Sequence, residues 1–439
     1  MLFMSLIATA LAASTAGMGL SPLGGGFGGI NDAGVLGLAA TPAAARSPEK
    51  ELALDLALST WTMEATLDGE APIQASGIGP LPYLGFAMPI GKFGVGVLGS
   101  VPYGGGGTFP AGGAQRFHLQ EGEAFLTEGS LALAFQPFSF VRVGVSGRFA
   151  QGTLKKRYAV DAAGLLNTQM AGMAEPPEGE EILEGSQELD LQGFGLGYAA
   201  GISTFLRNGV EVHASYRSPV AVDLSGTATV TPSSDLDLRL RGDASTTMVY
   251  PREIALGVVV PTRGVRLMMD VGWAGWGTMK HVNGTLDNIS IESDDESLSA
   301  LMSATGMDES SLTDTQKIYN DLGNVDVFYG GAGIDLPLHA RWTLRTGAWW
   351  APTSILDETF HIGVADYSAL DLRAGLSWMP SQSLTIAASI DTFVIPDRTI
   401  TTSQLALTNE ATSGRVLPSA NGTYSMKANR YGLTVIYRL

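Results

Sequence analysis

An all-β fold, a closed antiparallel barrel crossing a membrane, is what this sequence predicts, and three observations predict it. First, 45% of the 439 residues are apolar and only 16% are charged, against roughly 25% charged in ordinary soluble domains. Second, no run of about 20 apolar residues follows the first 20 positions, so a spanning helix is excluded there. Third, apolar and polar residues alternate strictly through many segments, the period of a strand with one apolar face.

The remaining composition narrows the classes. Intrinsic disorder needs low hydrophobicity and high charge density, which this chain lacks. Cysteine is absent, which excludes a disulfide scaffold and a thiolate metal site. Glycine is abundant, at 56 residues, but without the three-residue period of collagen. The net charge of −17 disfavours nucleic-acid binding, which needs a basic face. Acidic clusters at Glu178 to Glu184 and Asp294 to Glu296 read as a solvated or cation-bridged surface.

Residues 1–16 are apolar and small, with Ala8-Thr9-Ala10 and Ala10-Leu11-Ala12 as small-residue cleavage patterns, and read as an export signal. They lack a basic start, since the first cation is Arg46. Residues 17–50 are Gly/Ala-rich and precede any strand signal. Their GxGxxG spacing at Gly24, Gly26 and Gly29 follows no strand, so it is not read as a dinucleotide site. The segment reads as small-residue packing inside a barrel, and no cofactor or metal is expected.

From residue 51 the strands follow. Val141, Val143, Val145 and Phe149 share one face opposite Arg142, Gly144, Ser146 and Arg148. The same alternation runs through Val210 to Arg217, Ile254 to Val260, Asp371 to Trp378 and Tyr431 to Leu439. The segments are 52–66, 80–90, 92–103, 127–137, 139–152, 189–205, 209–224, 238–250, 252–262, 264–280, 325–337, 340–351, 366–379, 382–396 and 426–438. Joining 238–250 to 252–262 as one strand kinked at Pro251 makes the set an even 14. Short connections, as at Ile90-Gly91 and Leu338-His339, alternate with long ones at 104–126, 153–188, 281–324, 352–365 and 397–425. That alternation belongs to outer-membrane barrels, not to sandwiches. Trp273, Trp276, Trp342, Trp350, Trp378, Tyr431 and Tyr437 near strand ends suit interfacial girdles.

Two long connections carry apolar, helix-prone stretches: Val160 to Ala174 within 153–188, and Leu298 to Tyr319 within 281–324. Either they gather apolar ligands at the surface or they pack on each other over the barrel mouth.

Several stretches together resemble the FadL/TodX family of outer-membrane channels for hydrophobic substrates. They are Phe93 to Gly107, Ala199-Ala200-Gly201-Ile202 running into Val212 to Pro219, Trp273-Ala274-Gly275-Trp276, and Trp342 to Ala348 followed by Pro352, Ile355 and Asp366. The likeness runs from about residue 80 to the C-terminus. It implies a 14-stranded barrel in the bacterial outer membrane, among lipid and lipopolysaccharide, working as a monomer and not as an enzyme. It also implies an N-terminal hatch in the lumen, where Thr41, Pro42 and Ala43 stand in place of a family Asn-Pro-Ala motif. A kinked strand opens the wall sideways in the family, and Tyr103, Gly104, Gly105, Gly106 and Gly107 would supply that kink, since glycine weakens strands.

The resemblance further implies passive uptake of hydrophobic molecules, long-chain fatty acids first and aromatic or aliphatic hydrocarbons as the alternative. Burial of each CH₂ supplies about 0.8 kcal/mol, and a carboxylate head needs a cation nearby. Arg157 aligns with a basic family position and is the expected partner, with Lys156 second. The chain departs from the family at Gly323-Asn324, where a lysine stands in other members, which weakens the fatty-acid reading. A general porin and an outer-membrane hydrolase are the remaining alternatives. The hatch-like segment argues against the first. The five histidines form no HExxH motif, and no GxSxG elbow is present, which gives the second no support.

Overall fold

A computed structural model describes residues 31, 34–161, 184–231, 238–293, 299, 314–360, 362–364, 366–403 and 419–439. The expected export signal lies outside the described residues.

Fourteen antiparallel strands close into one barrel. We number them β1 (Glu51–Leu67), β2 (Ile73–Ile90), β3 (Phe93–Thr108), β4 (Glu121–Phe138), β5 (Val141–Asp161), β6 (Glu184–Phe205), β7 (Glu211–Arg217 with Val220–Thr231) and β8 (Leu238–Tyr250 with Glu253–Thr262). The rest are β9 (Val265–Ala274 with His281–Ser293), β10 (Gln316–Asp321 with Val327–His339), β11 (Trp342–Ala351), β12 (Ala369–Ser381), β13 (Leu384–Val394 with Arg398–Ile400) and β14 (Gly422–Arg438). β14 pairs with β1 in unbroken register from Arg438↔Glu51 to Gly422↔Leu67. Closure leaves no free sheet edge, the condition for a sheet in lipid. Among the described residues no helix is long and apolar enough to cross a membrane; the crossing is made by strands.

The alternation resolves as expected. Val145, Phe149, Leu196, Leu256, Met269, Leu372 and Leu433 are exposed on the outer surface, while their neighbours Arg148, Asp371, Arg373 and Thr434 are buried inside. An apolar outer band around a polar interior is the arrangement lipid requires. Trp342 stacks on Trp378 at a centroid distance of 5.8 Å, and both are exposed near the short-turn end. Trp276 departs from the girdle expectation, because it is buried, with its edge on the Tyr103 ring at 5.5 Å. It lies in a short 3-10 turn, Trp276–Met279, that interrupts β9 and turns the side chain inward.

The other differences concern strand length. β5 and β6 remain paired to Asp161↔Glu184, so 153–161 is strand where a connection was expected. Likewise 281–293 and 316–321 are paired strands. The ladder continues because each segment finds a partner: 281–286 pair with 316–321, and 290–293 with 238–241. The helix-prone stretches lie largely outside the described residues; Val160, Ile318 and Tyr319, at their margins, are strand.

The short-turn end also holds both sides of the closure, where Leu439 N donates to the Lys50 carbonyl at 2.9 Å. From there residues 34–47 run along the inner wall. Gly34–Ala39 and Pro42–Ala45 are 3-10 turns whose residues are nearly all buried. Thr41 caps the second, its hydroxyl accepting from Ala43 N at 3.4 Å, with Pro42 at the first helical position, where no backbone donor is needed. The wall yields space for them at glycines. A Cβ at Gly144 of β5 would stand 2.5 Å from Ala43 N, and one at Gly94 of β3 2.6 Å from the Ala45 carbonyl carbon. The Tyr83 hydroxyl donates to the Val35 carbonyl, which ties the segment to β2.

Candidate functional site

The wall is interrupted at one place next to a cavity. β2 pairs with β3 from Ile90↔Phe93 to Tyr83↔Ser100, then not again until Ser76↔Thr108. Over the same stretch β2 stays paired with β1, from Leu56↔Pro82 to Thr62↔Ser76. Pro80 and Pro82 lie in this interval of β2 and lack the N–H a ladder needs. β3 is displaced by a bulge: Ser100 pairs with Glu128 and Tyr103 with Leu126, so Val101 and Pro102 together face Thr127. Bulges of this kind bend a strand and sharpen its twist.

This corrects the origin of the expected kink. Gly104, Gly105, Gly106 and Gly107 keep their pairing with β4, opposite Phe125, Ala124, Glu123 and Gly122. The deviation begins at Val101–Pro102, and the lost ladder is the one to β2. The glycines have a different task. A Cβ at Gly104 would lie 2.8 Å from Phe125 Cε1, so the bare backbone lets that ring lie against the strand on the outer face.

Tyr103 is buried and anchors the displaced strand to the opposite part of the lumen. Its hydroxyl donates to the Glu253 carboxylate, which lies just past the kink in β8. Arg217 Nη1 is 3.9 Å from Glu253, and its Nη2 is 2.9 Å from Glu128. Glu128 also takes Arg148 at 2.5 Å. All four charged groups are buried, and each has an opposite charge. An unpaired charge there would be costly.

Behind the interruption lies the cavity. Gly79 and Leu81 of β2 and Pro102, Gly104, Gly105 and Gly106 of β3 line its mouth. Its interior is formed by Trp61, Trp349, Phe393, Ile395 and Met426, with Arg373 and Arg430 as its cations. Both arginines are neutralised: Arg373 by Asp371 at 2.6 Å, and Arg430 by Asp391. Arg373 also lies 5.3 Å from the Trp349 ring centre. The cavity is apolar, with paired charges recessed in one wall. Sequence reasoning did not single out Arg373 and Arg430, although both sit at polar positions of alternating strands.

A second, smaller apolar cavity lies toward the long-loop end. Met63, Phe109, Leu119 and Ile362 line it, and it shares Trp61, Gly105, Gly106 and Met426 with the first. The connection 352–368 closes over this end. Phe360 is fully buried, 4.7 Å from the Tyr424 ring, and Arg398 binds Asp357 at 2.7 Å and the Asp366 carbonyl at 2.8 Å. Asp366 accepts from Ser354 N at 3.0 Å and Thr353 Oγ1 at 2.9 Å; burial pushes its carboxyl up to about 6.

The expected head-group residues point in opposite directions. Arg157 faces outward, half-exposed, 3.6 Å from Glu188 on the neighbouring strand. It does not face the lumen; the alternation of β5 sets the side. Lys156 faces inward and is buried. The outward positions of β5 beyond Phe149 are Gln151, Thr153, Lys155 and Arg157, so Lys156 lies above the apolar band. Burial pushes its ammonium down to about 7. Asn324, near the expected lysine position, is a staple: its Nδ2 donates to the Met279 carbonyl at 3.0 Å, and Ser354 donates to its Oδ1 at 3.5 Å.

The family model described as outer membrane protein transport protein (OMPP1/FadL/TodX) matches residues 59–439. The chain belongs to the FadL/TodX family. It is therefore an outer-membrane protein that transports hydrophobic compounds. Among solved structures, a Pseudomonas aeruginosa FadL homologue superposes with a TM-score of 0.77 at 15% identity, over 98% of this chain and 99% of the other. The Pseudomonas putida toluene transporter TodX superposes with a TM-score of 0.70 at 14% identity, over 99% of both. The Ralstonia pickettii toluene transporter TbuX gives 0.66 at 17% identity, over 96% and 99%. At these identities the likeness is one of fold. No curated protein matches the chain.

Proposed function

We propose that this FadL/TodX-family member takes up uncharged hydrophobic molecules by passive diffusion and releases them sideways between β2 and β3. The observation that carries this reading is the lost β2–β3 ladder, which coincides with the mouth of the apolar cavity. A hydrocarbon leaving the cavity there meets the lipid-facing surface directly and needs no passage along the lumen axis. Residues 34–47, packed on the inner wall, serve as the hatch that blocks that axis. The pairing of Arg373 and Arg430 with aspartates favours a neutral cargo, because no cation in this cavity is left for a carboxylate. Two of the similar structures are toluene transporters, and a monoaromatic ring is the size class to test first.

The chain's lack of cysteine makes the test clean. Leu81→Cys and Gly105→Cys place one thiol on each side of the mouth. Joining them with a short bismaleimide is expected to abolish uptake of labelled toluene by cells, while each single variant, capped with N-ethylmaleimide, retains it. Full uptake by the joined protein overturns lateral release.

A second reading, uptake of long-chain fatty acids, has one observation in its favour. Lys156 is a buried, inward-facing ammonium with no ion pair to another described residue. A carboxylate beside it would stabilise its charged form. The ammonium is charged below about 7 and neutral above, so oleate binding to the purified protein is expected to weaken as pH rises through that value. Lys156→Met is expected to remove the pH dependence and leave toluene binding unchanged. A wild-type oleate affinity that is flat across neutral pH removes the head-group role.

A further inference from the structure

We propose that Trp61 is the inner latch of this opening, a side chain whose rotation joins the two cavities and frees the glycine segment of β3. The proposal deepens the lateral-release reading and rests on it.

Trp61 belongs to β1, one strand removed from the break, and pairs with Gly77 of β2. Its indole crosses the inner face of β2 at that glycine. A Cβ on Gly77 would stand 2.5 Å from Trp61 Cε2 and closer still to the Gly106 carbonyl oxygen, so only a residue without a side chain leaves room for both the indole and the carbonyl. On the far side Nε1–H donates to the Gly106 carbonyl of β3 at 3.1 Å. The ring also lies against Gly107, where a Cβ would be 2.6 Å from Trp61 Cη2. β1 thus reaches β3 through one side chain, over the stretch where the backbone ladder between β2 and β3 is missing.

The bond has an unusual partner. Gly106 is paired with Glu123 of β4 on one side and has no β2 partner on the other. The indole N–H supplies a donor where the ladder supplies none. Because the bond is a single one made by a side chain, it opens by side-chain rotation without unzipping a strand.

Trp61 is also a partition. It lines both the larger cavity and the smaller one nearer the long loops, and the two meet at Trp61, Gly105, Gly106 and Met426. A ligand captured near Phe109 and Ile362 passes this point before it reaches the mouth at Gly79 and Leu81. Swinging the indole aside merges the compartments and releases the Gly106 carbonyl in one movement. The ring would then select by width.

Three single variants of the full chain test this in cells lacking any other channel of this kind. Trp61→Phe keeps a ring and loses the donor, Trp61→Leu also thins the partition, and Gly77→Ala leaves Trp61 in place but puts a methyl where its indole and the Gly106 carbonyl meet. The probes are labelled toluene and labelled 1,3,5-triisopropylbenzene, one slim and one wide. Uptake of the wide probe is expected to rise about two- to tenfold, the factor one neutral hydrogen bond controls, in Trp61→Phe and Gly77→Ala, and further in Trp61→Leu. The toluene rate is expected to change little. Equal rates for both probes in folded, heat-modifiable barrels of all three variants overturn the latch, as does a fall for the wide probe. The same variants carrying the Leu81→Cys/Gly105→Cys pair separate the two ideas. Uptake that stops on cross-linking but ignores Trp61 removes only the latch. Uptake that survives cross-linking removes lateral release, and the latch with it.

Discussion

Gly144→Leu is expected to turn this closed channel into an ion-conducting pore. Gly144 faces the lumen from β5, with the Pro42–Ala45 turn resting on its backbone. A Cβ there would lie 2.5 Å from the Ala43 nitrogen, well inside contact distance and against main chain that has nowhere to retreat. A leucine adds three more carbons in the same direction. The segment of residues 34–47 must lift from the wall, and the barrel axis that we propose it blocks is then open. In a planar bilayer the wild-type protein is expected to show little steady current, and the variant a current of the order carried by water-filled barrels. The matched control is Gly147→Leu, on the outward face of the same strand with nothing within 4 Å of its Cβ. It is expected to conduct like the wild type. A silent Gly144→Leu barrel would show that residues 34–47 do not seal the lumen.

Removing Glu128 should have the largest effect on stability. Its carboxylate takes Arg148 at 2.5 Å and Arg217 at 2.9 Å, and all three side chains are about 5% exposed or less. Glu128→Ala leaves two buried guanidiniums short of a counter-charge. Arg217 retains Glu253 at 3.9 Å, and Arg148 retains only the Ser218 carbonyl at 3.1 Å. Breaking a buried pair from one side costs about 3–5 kcal/mol, so unfolding in guanidinium, followed in detergent or bilayers, is expected to shift by that amount. Glu128→Ala with Arg148→Met should recover part of the loss, since one orphaned charge is gone. A single variant as stable as the wild type would mean that water or another group already screens these arginines. The network also ends on Tyr103, so its loss slackens the tether of the displaced part of β3.

Much of this architecture is legible in the residue pattern. The strict alternation in Val141 to Phe149 or in Tyr431 to Leu439 admits one solution when the apolar face is wider than a soluble core can cover. That solution is a barrel with lipid outside. The even strand count followed from turns of opposite length at the two ends and from reading Pro251 as a kink within one strand.

The site was only half legible. Side of the wall follows parity, and parity puts Lys156 inside and Arg157 outside. The run Gly104 to Gly107 marked the right region but for the wrong cause. Ladder loss depends on what β2 offers across the gap, and Pro80 and Pro82 lie some 20 positions away in sequence. Arg430 meets Asp391 only because β13 and β14 are neighbours in the closed sheet, whereas Arg373 and Asp371 lie two residues apart on one face of β12. The contact of Trp61 with Gly106 spans 45 residues and two strands.

The sequence by itself determined the class of molecule: a glycine-rich, charge-poor strand protein whose outer half is made for lipid and whose inner half is polar. Period and composition are properties of each strand alone, so they survive without knowledge of neighbours. Only the tertiary structure decided where the β2–β3 ladder is lost, which charges meet across strands and which side chain spans the gap. Those depend on register and on which glycine lies beneath which ring, and register is set by pairs of strands, not by any one of them.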